Sequence, residues 1–379
     1  MTGIRVLASG IDSLYASVRG ELVEGLLMLL AELRRSIPDS EIPLSLSGGD
    51  PDLLLRRFGW RNYPFRFSSS KYELFVGAPD PFPPVYLQLH AEHIHTVGVE
   101  AAVHDAETML VRDLFPRGCR PLVSRADVFV DEQGWMPEQS DFTHFCCRAM
   151  RRRMLEVTRQ AHAYGGRFSG FTFGKGDLLA RIYNKTLENA VTRRTWPELL
   201  WEGRDPGLPV WRVEFQFRRS ILAETGLMGM DDAVRHRQGL WDYGCRWLSL
   251  RAPSPDSNRG RRPVASEWAQ LASARIGGSA VPLIRERVRE AEVGRLTQGL
   301  VGYASSLEAA DGAQGLGRAL VVSVPTVPPY LAHRGASFEE LVRAKRERRL
   351  DGVGSPTLPG SAAGLRVVPN GTGELGPGG

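Results

Sequence analysis

Charged and apolar residues alternate in three segments of this chain: SRADVFVD (124–131), ARIYNK (180–185) and VWRVEFQFR (210–218). Successive side chains of a strand point to opposite faces, so each segment predicts a strand with one apolar and one chemically loaded face. In the first, Ala126, Val128 and Val130 oppose Arg125, Asp127, Phe129 and Asp131. In the second, Ala180 and Ile182 oppose Arg181, Tyr183 and Lys185; in the third, Trp211, Val213, Phe215 and Phe217 oppose Arg212, Glu214, Gln216 and Arg218. If the three strands share a sheet, one face gathers two aspartates, a glutamate, a tyrosine, a lysine and several arginines, which is the inventory of a metal-dependent phosphodiester site. A half-exposed antiparallel sheet with its charges in water shows the same alternation. What favours the site is an arginine two positions before each of Asp127, Tyr183 and Glu214, because arginine suits bidentate phosphate contacts.

The remaining pattern predicts an α+β fold: a mostly antiparallel sheet domain with flanking helices over 1–228, a helical region over 229–350 and a disordered tail over 351–379. Strands are expected near 13–18, 64–76 and 85–95. Helical spacing covers 21–35, 98–115 and 142–161, then 219–225, 230–251, 265–275, 281–309 and 337–349. The segment RAPSPDSNRGRRP (251–263) has too few apolar residues to pack and reads as a linker or mobile loop. Beyond Leu350 the chain is rich in Gly, Pro and Ser. No internal repeat is evident.

With 379 residues, 42% of them hydrophobic, the chain can bury a large core. A net charge of +5 permits a nucleic-acid partner without requiring one, and arginines cluster at 148 and 151–153, at 259–262 and in RAKRERR (343–349). Four cysteines without C-x-x-C spacing point to reduced thiols in a cytoplasmic protein. The longest apolar run, 26–33, is interrupted by Glu32 and too short to span a bilayer, so no membrane anchor is expected. The segment GFTFGKGD (170–177) lacks the spacing and the Ser or Thr of a nucleotide phosphate loop. It reads as a hairpin turn in which Gly174 and Gly176 supply freedom and Lys175 is available to a DNA phosphate.

The run GFTFGKGDLLARIYNKTLE (170–188), preceded by SRADVFVD and followed by RVEFQFR, resembles the signature of the replication initiation factor family. These are rolling-circle plasmid replication initiators of the Rep-trans type and the related relaxases of integrative elements. The resemblance covers roughly residues 120–220 and includes the order of the three motifs. It implies that 1–228 is a nicking and strand-transfer domain in which Tyr183 attacks a DNA phosphodiester, becomes linked to the 5′ phosphate and leaves a free 3′-OH. Lys185 and Arg181 would assist, the first by favouring the phenolate and the second by clamping a flanking phosphate. Asp127 and Glu214 would hold a divalent cation, Mg²⁺ or Mn²⁺. Asp131 is a third candidate ligand, although it lies about 13 Å along the strand from Asp127. Arg125, Lys175, Arg212 and Arg218 are the expected DNA contacts. The partners implied are origin DNA, duplex and single-stranded, a host helicase and a second copy of the chain, with 229–350 serving recognition or dimerisation.

Three alternatives stand beside this reading. His93-Ile94-His95 fits the histidine-hydrophobic-histidine pattern of the larger class of rolling-circle endonucleases, and on a strand the two imidazoles would share a face. The chain is also compatible with conjugative transfer by the same chemistry, or with a non-catalytic origin-binding protein. Loss of Tyr183 separates the last case, because binding survives it and covalent cleavage does not.

Overall fold

The computed structural model describes residues 3–36, 42–43, 53–78, 82–147, 152–157 and 167–285, together with short stretches between 297 and 343. The chain forms two compact units, 1–288 and 289–379. The first is built on an eleven-stranded sheet whose neighbours are all antiparallel. In chain order the strands are β1 (Arg5–Gly20), β2 (Ile42–Pro43), β3 (Leu54–Arg56), β4 (Phe65–Ser68), β5 (Tyr72–Val76), β6 (Val85–Leu89), β7 (Cys119–Gln133), β9 (Arg152–Val157), β10 (Arg167–Gly174), β11 (Leu178–Asn184) and β12 (Trp211–Arg218). Two further short strands, β8 (Phe145–Cys147) and β13 (Leu248–Leu250), pair with each other. The α+β class expected from the pattern is the observed one.

Across the sheet the order is β2-β3-β4-β5-β6-β1-β7-β12-β11-β10-β9. The long strands β1 and β7 form the centre, and on each side the chain repeats one plan. The first strand of each half lies beside the last, and the others follow in descending order to the edge. The sequence shows no repeat, yet the strand order has one.

The three alternating segments lie side by side as β7, β12 and β11. Asp127 pairs with Gln216, Phe129 with Glu214, Asp131 with Arg212, and Arg181 with Glu214. Opposed residues of an antiparallel pair share a face. The apolar residues Leu14, Leu74, Leu87, Ala126, Val128, Ala180 and Phe215 therefore make one continuous buried layer. Among the described residues five helices accompany the strands of the second half, α4 (Lys185–Thr192), α5 (Arg219–Glu224), α6 (Met230–Arg235), α7 (Arg237–Trp247) and α8 (Ser266–Ala272), and α1 (Leu26–Ser36) and α3 (Val99–Met109) belong to the first half. Trp241 of α7 meets Phe215 edge-on at 5.4 Å, and the approach is close because a Cβ on Gly244 would lie 2.5 Å from the Phe215 ring. Residues 229–285 thus belong to the same compact unit as the sheet, and the division between units falls at 288/289.

Several expected elements differ. The strand near 13–18 begins eight residues earlier, because backbone pairing with β7 carries through Ala8-Ser9-Gly10, where the apolar pattern fades. The expected strand 85–95 stops at Leu89, and Ala91–Val97 forms a helix, α2. Helical spacing over 142–161 gives a short 3-10 turn and strands β8 and β9 instead, since the aromatics Phe142 and Phe145 pack on Phe171 and Phe173. The segment 251–263 is pinned by a bridge between Arg251 and Val264 and by the Arg261–Asp256 ion pair, so it is an ordered loop. Of the second unit, α9 (Val327–Arg334) and helical stretches between 297 and 309 are described; 286–296, most of 337–349 and all of 351–379 lie outside the described residues.

One glycine bears on the site. Gly170 of β10 stands opposite Tyr183 with φ +147°, and a Cβ there would lie 1.9 Å from the Ile182 carbonyl oxygen and 2.7 Å from Tyr183 Cα. Gly170→Ala is expected to displace the tyrosine strand and to lower stability by about 1 kcal/mol or more, a cost that thermal denaturation would read directly.

Candidate active site

Tyr183 leaves β11 on the face opposite the core, and its Oη donates to Glu214 Oε2 at 3.1 Å across the strand pair. Arg181, one turn of the pleat earlier and directly opposite Glu214, donates from Nη1 to Glu214 Oε1 at 3.1 Å and from Nη2 to Gln216 Oε1 at 2.9 Å. Asp127 sits diagonally from Glu214, beside Gln216. Its carboxylate receives Arg125 Nε at 2.8 and 3.1 Å and also Nη2. The sequence-derived pairing of Arg125 with Asp127 and of Arg181 with Tyr183 on one face is what the register produces.

The electrostatics follow from burial. Removal from water pushes the Asp127 carboxyl up to about 7, with Arg125 opposing the rise and the nearby Glu214 carboxylate adding to it. Burial also raises the Tyr183 phenol well above its ordinary value, and Glu214 reinforces that rise. The phenol is therefore protonated at neutral pH and points its proton at a carboxylate.

Asp131 and Arg212 are placed apart from this cluster. Arg212, 1% exposed, donates from Nε to Asp131 Oδ1 at 2.6 Å and from Nη2 to Asp131 Oδ2 at 2.8 Å. Its Nη1 reaches Asp12 Oδ1 at 2.5 Å, its guanidinium lies 3.9 Å from the Phe129 ring centre, and Trp201 Nε1 donates to Asp131 at 2.9 Å. Asp131 thus stands four residues along β7 from Asp127, held by Arg212 and Trp201, and Arg212 is almost wholly buried. Lys185 also differs from expectation. The strand ends at Asn184, whose side chain caps α4 by accepting from Leu187 N, and Lys185 becomes the first helical residue, buried and paired with Glu188 at 2.5 Å. Its Nζ lies 5.7 Å from the Tyr183 ring centre, which is a contact with the ring face and not with the hydroxyl. Lys175 is exposed in the β10–β11 turn, and Arg218 is exposed at the end of β12.

His93 and His95 lie on α2, where residues two apart do not share a face. His93 approaches Asp105 at 3.7 Å, whereas His95 packs edge-on to Phe129 at 5.3 Å and beside Trp196. Burial lowers the His95 imidazole below its usual value against the pull of Asp12. The two imidazoles therefore do not form the strand-borne pair that the pattern allowed.

No group of three or more His, Cys, Asp or Glu side chains suited to a metal ion occurs among the described residues. Asp127 and Glu214, with the Gln216 carbonyl between them in register, offer the oxygen donors that Mg²⁺ and Mn²⁺ prefer. Burial is the main cause of the raised Asp127 carboxyl and Glu214 adds to it, a part that a cation would relieve; the same oxygens are engaged by Arg125, Arg181 and Tyr183, so an ion would take the place of those contacts.

Sequence reasoning missed Asp12, Tyr15 and Glu132. Asp12 occupies a β-bulge, where Ile11 pairs with Val128 and Ser13 with Asp127, and a bulge leaves no mark on the alternation. Glu132 is fully buried; burial pushes its carboxyl up to about 8, offset in part by the Trp135 N–H, which donates to it at 3.2 Å. The folded state keeps this proton up to about pH 8, while an unfolded glutamic acid loses it near 4.5. Stability from this group is thus present at low pH and falls as pH rises through the interval between those values. Glu132→Gln is expected to raise the melting temperature at pH 8, on the order of a few kcal/mol in stability, and to have little effect at pH 4.

No family model matches the chain, and no curated protein matches its sequence. Among solved structures, a rolling circle replication initiator protein from Geobacillus stearothermophilus is similar, with 16% identity, a TM-score of 0.45, and coverage of 74% of this chain and 100% of that one. No helix among the described residues is long and apolar enough to cross a membrane.

Proposed function

We propose that this protein nicks one strand of origin DNA with Tyr183 as nucleophile and so initiates rolling-circle replication. The observation that carries the reading is the hydrogen bond from Tyr183 Oη to Glu214 on a polar sheet face that also holds Asp127, Arg125 and Arg181. In the proposed reaction the phenolic oxygen attacks phosphorus, the P–O3′ bond breaks, and the tyrosine carries the 5′ phosphate. Glu214 receives the phenolic proton, which suits its position as acceptor, and the departing 3′ oxygen takes up a proton to become the free 3′-OH. Arg181 and Arg125 supply positive charge where the phosphorane charge develops. A divalent cation held by Asp127 and Glu214 would polarise the scissile phosphate. Reversal of the attack by a 3′-OH rejoins a strand, so the same site serves relaxase chemistry as well as replication.

In this reading the protein works in the cytoplasm on duplex and single-stranded origin DNA, with a host helicase to extend the opened strand. The arginines of 259–262 and the second unit are the proposed place for origin recognition or dimerisation. The deciding experiment incubates supercoiled DNA carrying the element's own origin with the full chain and Mn²⁺ or Mg²⁺, resolves a denaturing gel, and maps the linked peptide by mass spectrometry. A metal-dependent adduct on Tyr183 is expected. An adduct on Tyr15, which faces Arg125 across β1 and β7, would overturn the assignment of the nucleophile, and binding without an adduct would make this a non-catalytic origin-binding protein.

A further inference from the structure

The nicking residues occupy one half of the polar sheet face. The other half bears a cavity of about 490 Å³ that no part of the proposed reaction uses. Its floor is β1, β5 and β6, which stand in the first half where β7, β11 and β12 stand in the second. The register puts Tyr15, Gln88, Glu73, Phe75 and Tyr86 on the face that carries Arg125 and Asp127, because Tyr15 pairs with both Gln88 and Arg125. Above the strands the turn at 60–63, closed by reciprocal backbone hydrogen bonds between Trp60 and Tyr63, sets an indole over Phe75 at 4.6 Å and nearly parallel to Tyr86 at 6.0 Å. The cavity is thus walled by aromatic rings, with Trp60 37% exposed at its mouth.

Its charge is of one dominant sign. Arg61 stacks on Trp60 with its guanidinium 4.3 Å from the ring centre, Arg125 lies 4.6 Å from Tyr15, and Arg218 opens onto the same space. Arg66 ties Glu73 at 2.5 Å, while its buried Nε has no hydrogen-bond partner. Glu73 and Gln88 add an acceptor and an amide at the floor, groups that can meet the edge of a base.

We propose that this cavity binds an unpaired nucleobase of the DNA strand next to the scissile phosphate, stacked on Trp60 and Tyr86, with Arg61 and Arg218 on the adjoining phosphates. Aromatic rings that stack bases beside cations that track the backbone are the chemistry by which single strands are held. Arg125 joins the two places: it lines the cavity and also holds Asp127 of the nicking cluster. Four strand spacings separate β6, which carries Tyr86, from β11, roughly 19 Å, so the seated base lies a few nucleotides from Tyr183. The assignment rests on the nicking reading for which strand enters, but not for the binding itself. A base withdrawn here keeps the strand from re-pairing and fixes the register of the phosphate presented to the tyrosine.

The test measures fluorescence anisotropy of fluorescein-labelled oligo(dT) and oligo(dA) of twenty nucleotides with the full chain in EDTA, where cleavage does not contribute. Wild type is compared with Trp60→Ala and Arg61→Ala, both at exposed positions where circular dichroism should report an intact fold. Trp60→Ala is expected to weaken binding about tenfold to a hundredfold, the range set by loss of one base stack. Arg61→Ala is expected to reduce the salt dependence by about one ion. Both variants binding within twofold of wild type would overturn the proposal, as would displacement of the oligonucleotide by millimolar dTMP or dAMP, which would assign the cavity to free nucleotides. Trp60-dependent binding without any adduct would sink the nicking reading and leave the cavity standing; an adduct on Tyr183 with Trp60-independent binding would do the reverse.

Discussion

Tyr183→Phe is expected to abolish the covalent protein–DNA adduct while the fold and the affinity for single-stranded DNA stay near wild type. The hydroxyl is the only atom group removed, and its partner Glu214 keeps Arg181 on the other carboxylate oxygen. The net worth of one such hydrogen bond is about 1 kcal/mol, too little to unfold a sheet of this extent. Loss of the nucleophile, by contrast, removes the covalent route altogether. Glu214→Gln gives the informative comparison. An amide keeps the shape and can still meet Tyr183, but it cannot take the phenolic proton, so cleavage should slow by about 10²–10⁴-fold while adducts that do form remain on Tyr183. Because burial is the largest cause of the raised phenol pKa and persists in the variant, raising the pH to 9 should not restore the Glu214→Gln rate. Single-turnover gels at pH 7 and 9 check both statements; full rescue at pH 9 would show that the phenol ionises without Glu214.

The chemistry-bearing strands were legible because their alternation is a direct imprint of a sheet with one buried face. Arg125, Asp127, Arg181, Tyr183 and Glu214 all fall on the face that the period-2 pattern assigned, and β7, β12 and β11 are neighbours as their shared inventory suggested. Pairing between side chains was not legible. Asp131 and Arg212 share that parity, yet their direct register match, and a bulge that swings Asp12 toward Arg212, convert them into an internal ion triad. Lys185 was assigned to the strand by counting, but Asn184 ends the strand as a helix cap, and a cap shifts every following residue out of the alternating frame. The His93 and His95 segment was misread because five alternating residues from Val85 to Leu89 continue smoothly in sequence into a helix whose start has no capping side chain. The duplicated strand order was invisible for a different reason: topology follows backbone hydrogen bonds, and nothing requires the two halves to keep the same side chains.

Arg212→Ala is the substitution expected to damage the fold most. The guanidinium is almost wholly buried and answers two carboxylates, Asp131 and Asp12, while lying flat on Phe129. Both carboxylates and the burial itself act on it, and the two aspartates hold the arginine firmly protonated against the cost of desolvation. Deleting it leaves Asp131, with no exposed surface, facing Asp12 with only the Trp201 indole as donor. Breaking a buried ion pair from one side costs about 3–5 kcal/mol, because the remaining charge is neither solvated nor paired. Chemical denaturation should show that loss, with the slope against denaturant unchanged. Restoring neutrality tells a structural role from a DNA contact. Combining Arg212→Met with Asp131→Asn should recover much of the stability and bring DNA affinity back with it, with the salt dependence of binding equal to wild type. If Arg212 instead contacted phosphate, the recovered fold would bind DNA more weakly and with a salt slope smaller by about one ion.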